Sequence, residues 1–515
     1  MNELLLGLQS VMHWGVLASL LVGAALGILI GVLPGIGPGV AIAVMLPITY
    51  GMSHMAGLVL LLGIYCGAFY GGAVTSILIR TPGEASSIMT MFDGYPMAAR
   101  GEAQRALTLA FTSAFVGGLA STVFLIFAAK PLAAFAGRFG AAEFSAAALL
   151  ALVCVVKAYQ GRTAQAALML GLGLFIGTVG IDPSSQEQRF TFGFPQLMTG
   201  LPLGAVVIGV FGMAQAFVLL GMKPRERKRG DQLEQAGFSL KQAGEIFRYP
   251  STLAKSAGIG TLIGVLPAVG AALSTSLSYF EAKRHDPEAF GKGDPRGIIA
   301  AEAANNSVSG GALVPLLALG IPGDAVTAII MGVFMVHGVF PGPNLFSEQP
   351  ELVSGIMVSM LLLNVVILLM LVFLVRYVAM CVQLDPRLLG MVILALCFIG
   401  SYSLGNSLYF TWVAFGFGIF GWLCALSGLP AVPLVLGMVL GDLMETSVRQ
   451  ALNIGEGSPA VFFSRPVSAT LMVVVILMLA WPLLRRGWRA LRRPTPAPAA
   501  DASRRAGTGP LPPAA

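Results

Sequence analysis

Long apolar runs, spread over almost the whole chain, constrain the fold more than any other feature. They cover residues 106–129, 164–180, 203–221, 357–375, 391–399, 432–440 and 467–484. Several approach the roughly 20 residues a helix needs to cross a bilayer. Charged residues make up only 11% of the 515 and hydrophobic ones 56%, with a mean hydropathy of +0.83. A soluble domain carries about 25% charged residues, so the polar cover for a water-facing surface is missing. With the interrupted runs included, roughly ten to twelve crossings or partial crossings are expected. The predicted fold is an all-α polytopic integral membrane protein. The opening MNELLLGLQSVMHWG has neither a basic stretch nor a small-residue cleavage site, so it is expected to stay as a membrane element.

The placement of charge matters more than the net value of +7. KPRERKR at 223–229 and RRGWRALRR at 485–493 each follow a membrane segment. The positive-inside rule reads them as cytoplasmic anchors in preference to nucleic-acid patches. The tail PTPAPAADASRRAGTGPLPPAA is expected to be disordered. Five scattered cysteines without metal-ligand spacing, and four histidines (His13, His54, His285, His337) likewise, argue against a disulfide framework or a zinc site. No HExxH, GxSxG or other nucleophile–base constellation appears, so no catalytic residue and no metal ligand is assigned.

LIGVLPGIGPG at 29–39 returns as LIGVLPAVGAA at 262–272. GGAVTSILIRTPGEA at 71–85 returns, with one residue inserted, as GGALVPLLALGIPGDA at 310–325. Two matches in the same order at nearly the same spacing indicate an internal duplication. The expected organisation is membrane repeat 1 over 1–222, a basic cytoplasmic linker over 223–250, membrane repeat 2 over 251–485 and a tail over 486–515. Within the linker, SLKQAGEIF has an amphipathic pattern suited to the membrane surface. Arg100 and Arg105 follow the second motif in half 1, whereas Glu348 and Glu351 follow it in half 2. That opposite bias favours inverted repeats, although Arg376 and Arg387 match Lys130 and Arg138 in sign.

The first motif reads as a helix broken inside the membrane. Pro34 and Pro267 each remove a backbone donor, while Gly35 and Gly37 permit positive φ and close approach. The freed N–H groups of a half-helix suit an anion, and the exposed carbonyls of the other half suit Na⁺. A phosphate loop fails on spacing, since Gly35, Gly37 and Gly39 give GxGxG and no GxxxxGK[ST] occurs. One copy alone would favour a plain turn between helices; the duplicated pair favours a transport site.

The second motif, RTPGEASS at 80–87 and GIPGDAVT at 320–327, reads as the tip of a hairpin that enters the membrane and returns. Its candidate substrate contacts are Thr81, Pro82, Gly83, Ser86 and Ser87 in half 1, and Pro322, Gly323 and Thr327 in half 2. Glu84 and Asp324 either cap the following helix or, with Gly270, form a cation site. Arg80 either meets a substrate carboxylate, snorkels, or pairs with Glu84 at i+4. AEAANNSVSGG at 301–311 adds Glu302, Asn305, Asn306, Ser307 and Ser309, and Ser274 and Thr275 follow the break of half 2. Amides there either lock helices or coordinate ligand. Gly23, Gly27 and Gly31 predict close helix packing, and Glu445 with Arg449 an i,i+4 ion pair.

GVLPGIGPG, YCGAFYGGAVTSIL, TPGEASS, DGYPMAARG, EAANNS, LGIPGDAVTA, HGVFPGP and LMETSVRQAL…FFSRPVS occur in this order. With them the chain resembles the large membrane subunit of the tripartite tricarboxylate transporter family, the TctA type. The resemblance implies a permease of the bacterial inner (cytoplasmic) membrane. Its implied partners are a small four-helix membrane subunit of the TctB type and a periplasmic solute-binding protein of the TctC type. It further implies uptake of carboxylates such as citrate, driven by a Na⁺ or H⁺ gradient with no cofactor. Asp324 stands where that pattern usually has Ser, Arg80 where Asn is common and Asp442 where Pro is common. The first two lie beside the proposed site, so the implied substrate class is small organic carboxylates, not citrate in particular. An ion channel and a membrane enzyme are the competing readings; the missing nucleophile–base pair argues against the enzyme.

Overall fold

The fold comes from a computed structural model, which describes residues 2–33, 35–182, 185–222, 235–267, 269–284 and 286–491. Pro34, His285, the basic run within 223–234 and the tail from 492 lie outside the described residues. Helices account for nearly all the regular structure, beginning with α1 (Asn2–Val11). A first series follows: α2 (Trp14–Val32), α3 (Pro38–Thr49), α4 (His54–Ile79), α5 (Ile88–Ala99) and α6 (Ala103–Ala136). After α7 (Ala141–Ala158) and α8 (Thr163–Gly177) comes a two-residue antiparallel pair, β1 (Gly180–Ile181) with β2 (Gln188–Arg189), and then α9 (Leu203–Gly221). The first order then recurs as α10 (Pro250–Val265), α11 (Gly270–Lys283), α12 (Pro295–Leu319), α13 (Ala325–Val336) and α14 (Pro350–Met380). Helices α15 (Pro386–Ser403), α16 (Leu408–Ser427), α17 (Val432–Ile454) and α18 (Pro466–Leu491) complete the described chain.

Among the described residues, eight helices are long and apolar enough to cross a membrane: α2, α4, α6, α7, α9, α14, α15 and α16. Four shorter apolar helices accompany them. The chain is therefore an all-α polytopic membrane protein. The apolar window of α4 is wholly buried, whereas those of α15 and α16 are only 22% buried. Helices that are apolar all round and still uncovered face lipid, while α4 sits at the centre. Its counterpart α12 carries Glu302, Asn305, Asn306, Ser307 and Ser309, yet every residue from 297 to 318 is buried. Polar side chains at membrane depth are accommodated here because protein, not lipid, surrounds them.

Glycine sets the closest contacts. A Cβ on Gly27 would come within 2.7 Å of the Gly63 and Ile64 carbonyl oxygens, and one on Gly67 within 2.8 Å of the Ala24 oxygen. Gly23 and Gly31 meet the backbone at Leu60 and Ala68 in the same way. Small residues thus let α2 and α4 approach backbone to backbone. The successive pairs rise together in sequence, so α2 and α4 run in the same direction. Gly264 repeats this against the Val308 oxygen, at 2.7 Å, for α10 on α12.

Which motif makes which turn is the reverse of the sequence reading. Thr49, at the end of α3, lies beside Gly57 near the start of α4, while Pro38 shares a cavity with Phe69. Helix α3 therefore runs back along α4, and the first motif is the turn of a helical hairpin. At the second motif, Arg80 adopts φ 53° and ends α4. The chain then folds back until Gly83 and Ser87 meet Gly72, and Gly94 meets Ile77 further along α4. Helix α5 consequently runs in the direction of α4. Gly/Pro content frees the backbone at both motifs, but the neighbours that receive the next segment decide its direction.

Candidate functional site

Four helix N-termini converge on one cavity of ≈ 480 Å³. Gly37–Val40 open α3, and Glu84–Ser86 lead into α5. Val269–Ala272 open α11 and Asp324–Val326 open α13. These are the corresponding positions of the two repeats. Each terminus carries a partial positive charge. Phe69, Tyr159, Phe211, Ile329 and Val432 supply the apolar wall, and among the described residues the lining contains no Lys or Arg. Phe211 sits on a π-helical stretch, Ile208–Met213, inside α9. Such bulges re-aim side chains and occur often at functional sites. A wider depression of ≈ 660 Å³ lined by Ser10, His13, His54 and Glu351 lies elsewhere and involves neither motif.

Both fold-backs of the second motif are held from below by glycine contacts. A Cβ on Gly83 would collide with the Gly31 carbonyl oxygen and come within 2.8 Å of Gly72 Cα; one on Gly323 would collide with the Gly264 oxygen and come within 2.6 Å of Ala312 Cα. The Gly35 N–H donates to the Gly83 oxygen at 3.3 Å, tying the two motifs of half 1 together. Gly35 takes φ 86°, and its own carbonyl accepts from Gln215 at 2.9 Å.

The two acids take different roles. Asp324 forms a capping box: its Oδ1 accepts from Thr327 N at 2.7 Å, and Thr327 Oγ1 accepts from Asp324 N at 2.9 Å. Its Oδ2 accepts from Tyr65 Oη at 2.5 Å. Glu84 makes no cap; its Oε1 accepts from Ser86 Oγ at 2.5 Å and from Asn305 Nδ2 at 3.4 Å. Each acid is therefore held by the long central helix of the other repeat.

Of the residues singled out from the sequence, Gly37, Glu84, Ser86, Gly270 and Asp324 line the cavity. Pro34 is not described. Thr81 Oγ1 turns back to the Ile79 oxygen, Ser274 to the Ala304 oxygen and Thr275 to the Ala272 oxygen. Asn306 donates to the Glu302 carbonyl and Ser307 to the Ala303 carbonyl, where Ser307 packs on Gly117 and Gly260. Pro82, Gly83, Pro322 and Gly323 shape the turns without lining the cavity, and Thr327 serves the cap. Arg80 lies over the Tyr95 ring, 5.7 Å from its centroid. Asn305 reaches the site through Glu84, and Ser87 lies buried behind it.

Tyr65 was not legible as a site residue, since nothing marks it within the apolar run of α4. Asp93 was also missed, although it stands in the quoted DGYPMAARG. Fully buried, it accepts from the backbone N–H of Gly291, Gly293 and Asp294 at 2.8–2.9 Å and from Tyr279 Oη at 2.8 Å. It pins the loop between α11 and α12 to α5. The predicted Glu445–Arg449 pair forms at 2.7 Å, joined by Arg189 of β2 and by Asp182. The SLKQAGEIF segment leaves Leu240 and Phe247 exposed, while Glu245 grips Arg105 through two contacts of 3.0 and 2.5 Å. Among the described residues no cluster of His, Cys, Asp and Glu is arranged to hold a metal.

Comparison with known proteins finds sequence relatives and a family. An uncharacterized 52.8 kDa protein in the TAR-I ttuC' 3'region of Agrobacterium vitis is 36% identical over 445 residues, covering 86% of this chain and 88% of that one. A second Agrobacterium vitis protein, in the TAR-II ttuC' 3'region, is 34% identical over 231 residues, 44% of this chain and 96% of the relative. No solved structure matches the chain. The tripartite tricarboxylate transporter TctA family matches over residues 17–436, and the chain belongs to that family of membrane transporters.

Proposed function

We propose that this chain is the permease subunit of a binding-protein-dependent secondary transporter, importing a small organic carboxylate down an ion gradient. The observation that carries this reading is the convergence of four helix N-termini on a cavity with no basic side chain among the described residues. Aligned peptide dipoles place about half a positive charge at each N-terminus. Backbone N–H groups can then bind a carboxylate without a fixed cation that would hold it too tightly for release. The aromatic and aliphatic wall accommodates a short carbon skeleton. Glu84 and Asp324 offset part of the dipole charge, which favours an anion that arrives with a Na⁺ or a proton over one that arrives alone.

Inverted repeats fit the cross-repeat contacts. Tyr65 precedes Gly72, the level of the first fold-back, by two turns; Asn305 precedes Ala312, the level of the second, by the same interval. Each interval is about 10 Å at 1.5 Å per residue. Tyr65–Asp324 and Asn305–Glu84 can form together only if α4 and α12 pass in opposite directions; parallel helices would miss by about 20 Å. Paired helix-end sites between inverted repeats are a recurring arrangement in secondary transporters. In this reading the protein lies in the bacterial inner membrane with the basic linker and C-terminal tail cytoplasmic. It works with a small four-helix membrane subunit and a periplasmic solute-binding protein.

The test is uptake of a labelled carboxylate panel into proteoliposomes that hold this chain and both partners, with and without inward Na⁺ or H⁺ gradients. Gradient-dependent accumulation of one carboxylate is expected. No accumulation under either gradient refutes the proposal, and flux far above carrier rates would favour a channel instead.

A further inference from the structure

Behind the cavity wall lies a second polar cluster, where α4, α5 and α12 meet. Glu302 is fully buried; Thr90 of α5 donates to its Oε1, but Oε2 has no hydrogen-bond partner among the described residues. Asn305, one turn along the same face of α12, spends its amide N–H on Glu84 and leaves Oδ1 unpartnered. Ser87, one turn before Thr90 and packed on Gly72, has an equally unpartnered Oγ. All three side chains are fully buried. Three orphan oxygens at one helix junction are costly, since a buried unsatisfied polar group loses about 1–3 kcal/mol.

We infer that Glu302, Asn305 and Ser87, with Thr90, hold a Na⁺ ion at this junction. The donor set is a carboxylate, an amide carbonyl and hydroxyls, all hard oxygen ligands with no nitrogen or sulfur. None of Glu302, Asn305, Ser87 and Thr90 lines the carboxylate cavity, so an organic anion has no route to them there. A proton would satisfy Glu302 Oε2 alone and leave the Asn305 carbonyl as it is. The inference rests on the transporter reading for its purpose: Glu84 touches both the cavity and Asn305, so the ion is joined to the anion site through a single side chain.

The test is equilibrium binding of radioactive ²²Na⁺ to the purified full-length chain in detergent, with no carboxylate present, so it stands apart from the uptake result. Thermal stability is followed in parallel as choline is replaced by Na⁺ or K⁺. Saturable Na⁺ binding and a Na⁺-specific rise in melting temperature are expected. Glu302→Gln and Ser87→Ala should each weaken that binding about 10-fold or more. If Glu302→Gln does not fold, Ser87→Ala and Thr90→Val decide. Binding that is unchanged in folded variants overturns the inference. So does wild-type stability that follows pH but not Na⁺, which would make Glu302 a proton site.

Discussion

Replacing Tyr65 by Phe removes one hydroxyl and nothing else from the junction between the repeats. The Oη lies 2.5 Å from Asp324 Oδ2, with Tyr65 fully buried and Asp324 4% exposed. Asp324 Oδ1 keeps both Thr327 contacts, so the cap of α13 survives and only Oδ2 is orphaned. Hydrogen bonds between membrane helices contribute about 0.6 kcal/mol on average and about 1.7 at most. A short bond to a carboxylate, with no solvent to replace it, belongs at the upper end, at about 1.5 kcal/mol. That corresponds to roughly a tenfold change in the unfolding equilibrium. The assay is a double-mutant cycle with Tyr65→Phe and Asp324→Asn, read from reversible unfolding in mixed micelles. A coupling near the stated value is expected. Additivity within about 0.3 kcal/mol would mean that the two groups do not interact, and the cross-repeat clamp would be refuted.

Gly83→Ala and Gly323→Ala force a methyl against the Gly31 and Gly264 carbonyls, at a cost of about 1–3 kcal/mol each. Thermal unfolding should show both losses, while Gly244→Ala, with open space around it, stays at wild type. Gly37 has φ −75° and no atom near its virtual Cβ, so Gly37→Ala should leave stability unchanged. Its methyl enters the cavity and should raise the KM of uptake; an unchanged KM would remove Gly37 from the substrate path. Glu245 is held below the ordinary carboxyl value of 4.5 by its hydrogen bonds to Arg105. A depressed carboxylate stabilises above that ordinary value, and the contribution disappears as pH falls through the lowered one. Hydrogen exchange over 240–248, corrected for intrinsic rate, should therefore rise below about pH 4.5 in the wild type. Glu245→Gln should show raised exchange at every pH, and a pH-dependent profile in that variant would refute the pairing.

The membrane class and the glycine face of α2 were legible in residues, because lipid filters composition and close packing admits only small side chains. Gly/Pro-rich motifs marked where the backbone departs from helix. They did not reveal that α3 returns while α5 continues, since direction depends on the surface that receives each segment. The candidate cavity was legible in part: Gly37, Glu84, Ser86, Gly270 and Asp324 sit in or beside the motifs, and all five line it. Tyr65, Phe211 and Tyr159 belong to segments that read as ordinary membrane helix, and only tertiary packing gives them a role. Asn306 and Ser307 looked like ligands by type. Their hydrogen bonds go to the preceding turn of α12, the usual local alternative for such side chains.

The glycine contacts beneath the two fold-backs have a mechanical consequence. With Gly83 seated on Gly31 and Gly323 on Gly264, neither fold-back can slide along its hairpin without opening a gap or a collision. Each fold-back and its hairpin are therefore packed as one body. Phe211, Tyr159 and Val432 reach the cavity from α9, the end of α7 and the start of α17, outside those bodies. The cavity is thus a seam, and on the proposed function a carboxylate bound there would touch both of its edges. Cargo lying on a seam would change how readily the edges part, so on that reading loading and movement would become the same event.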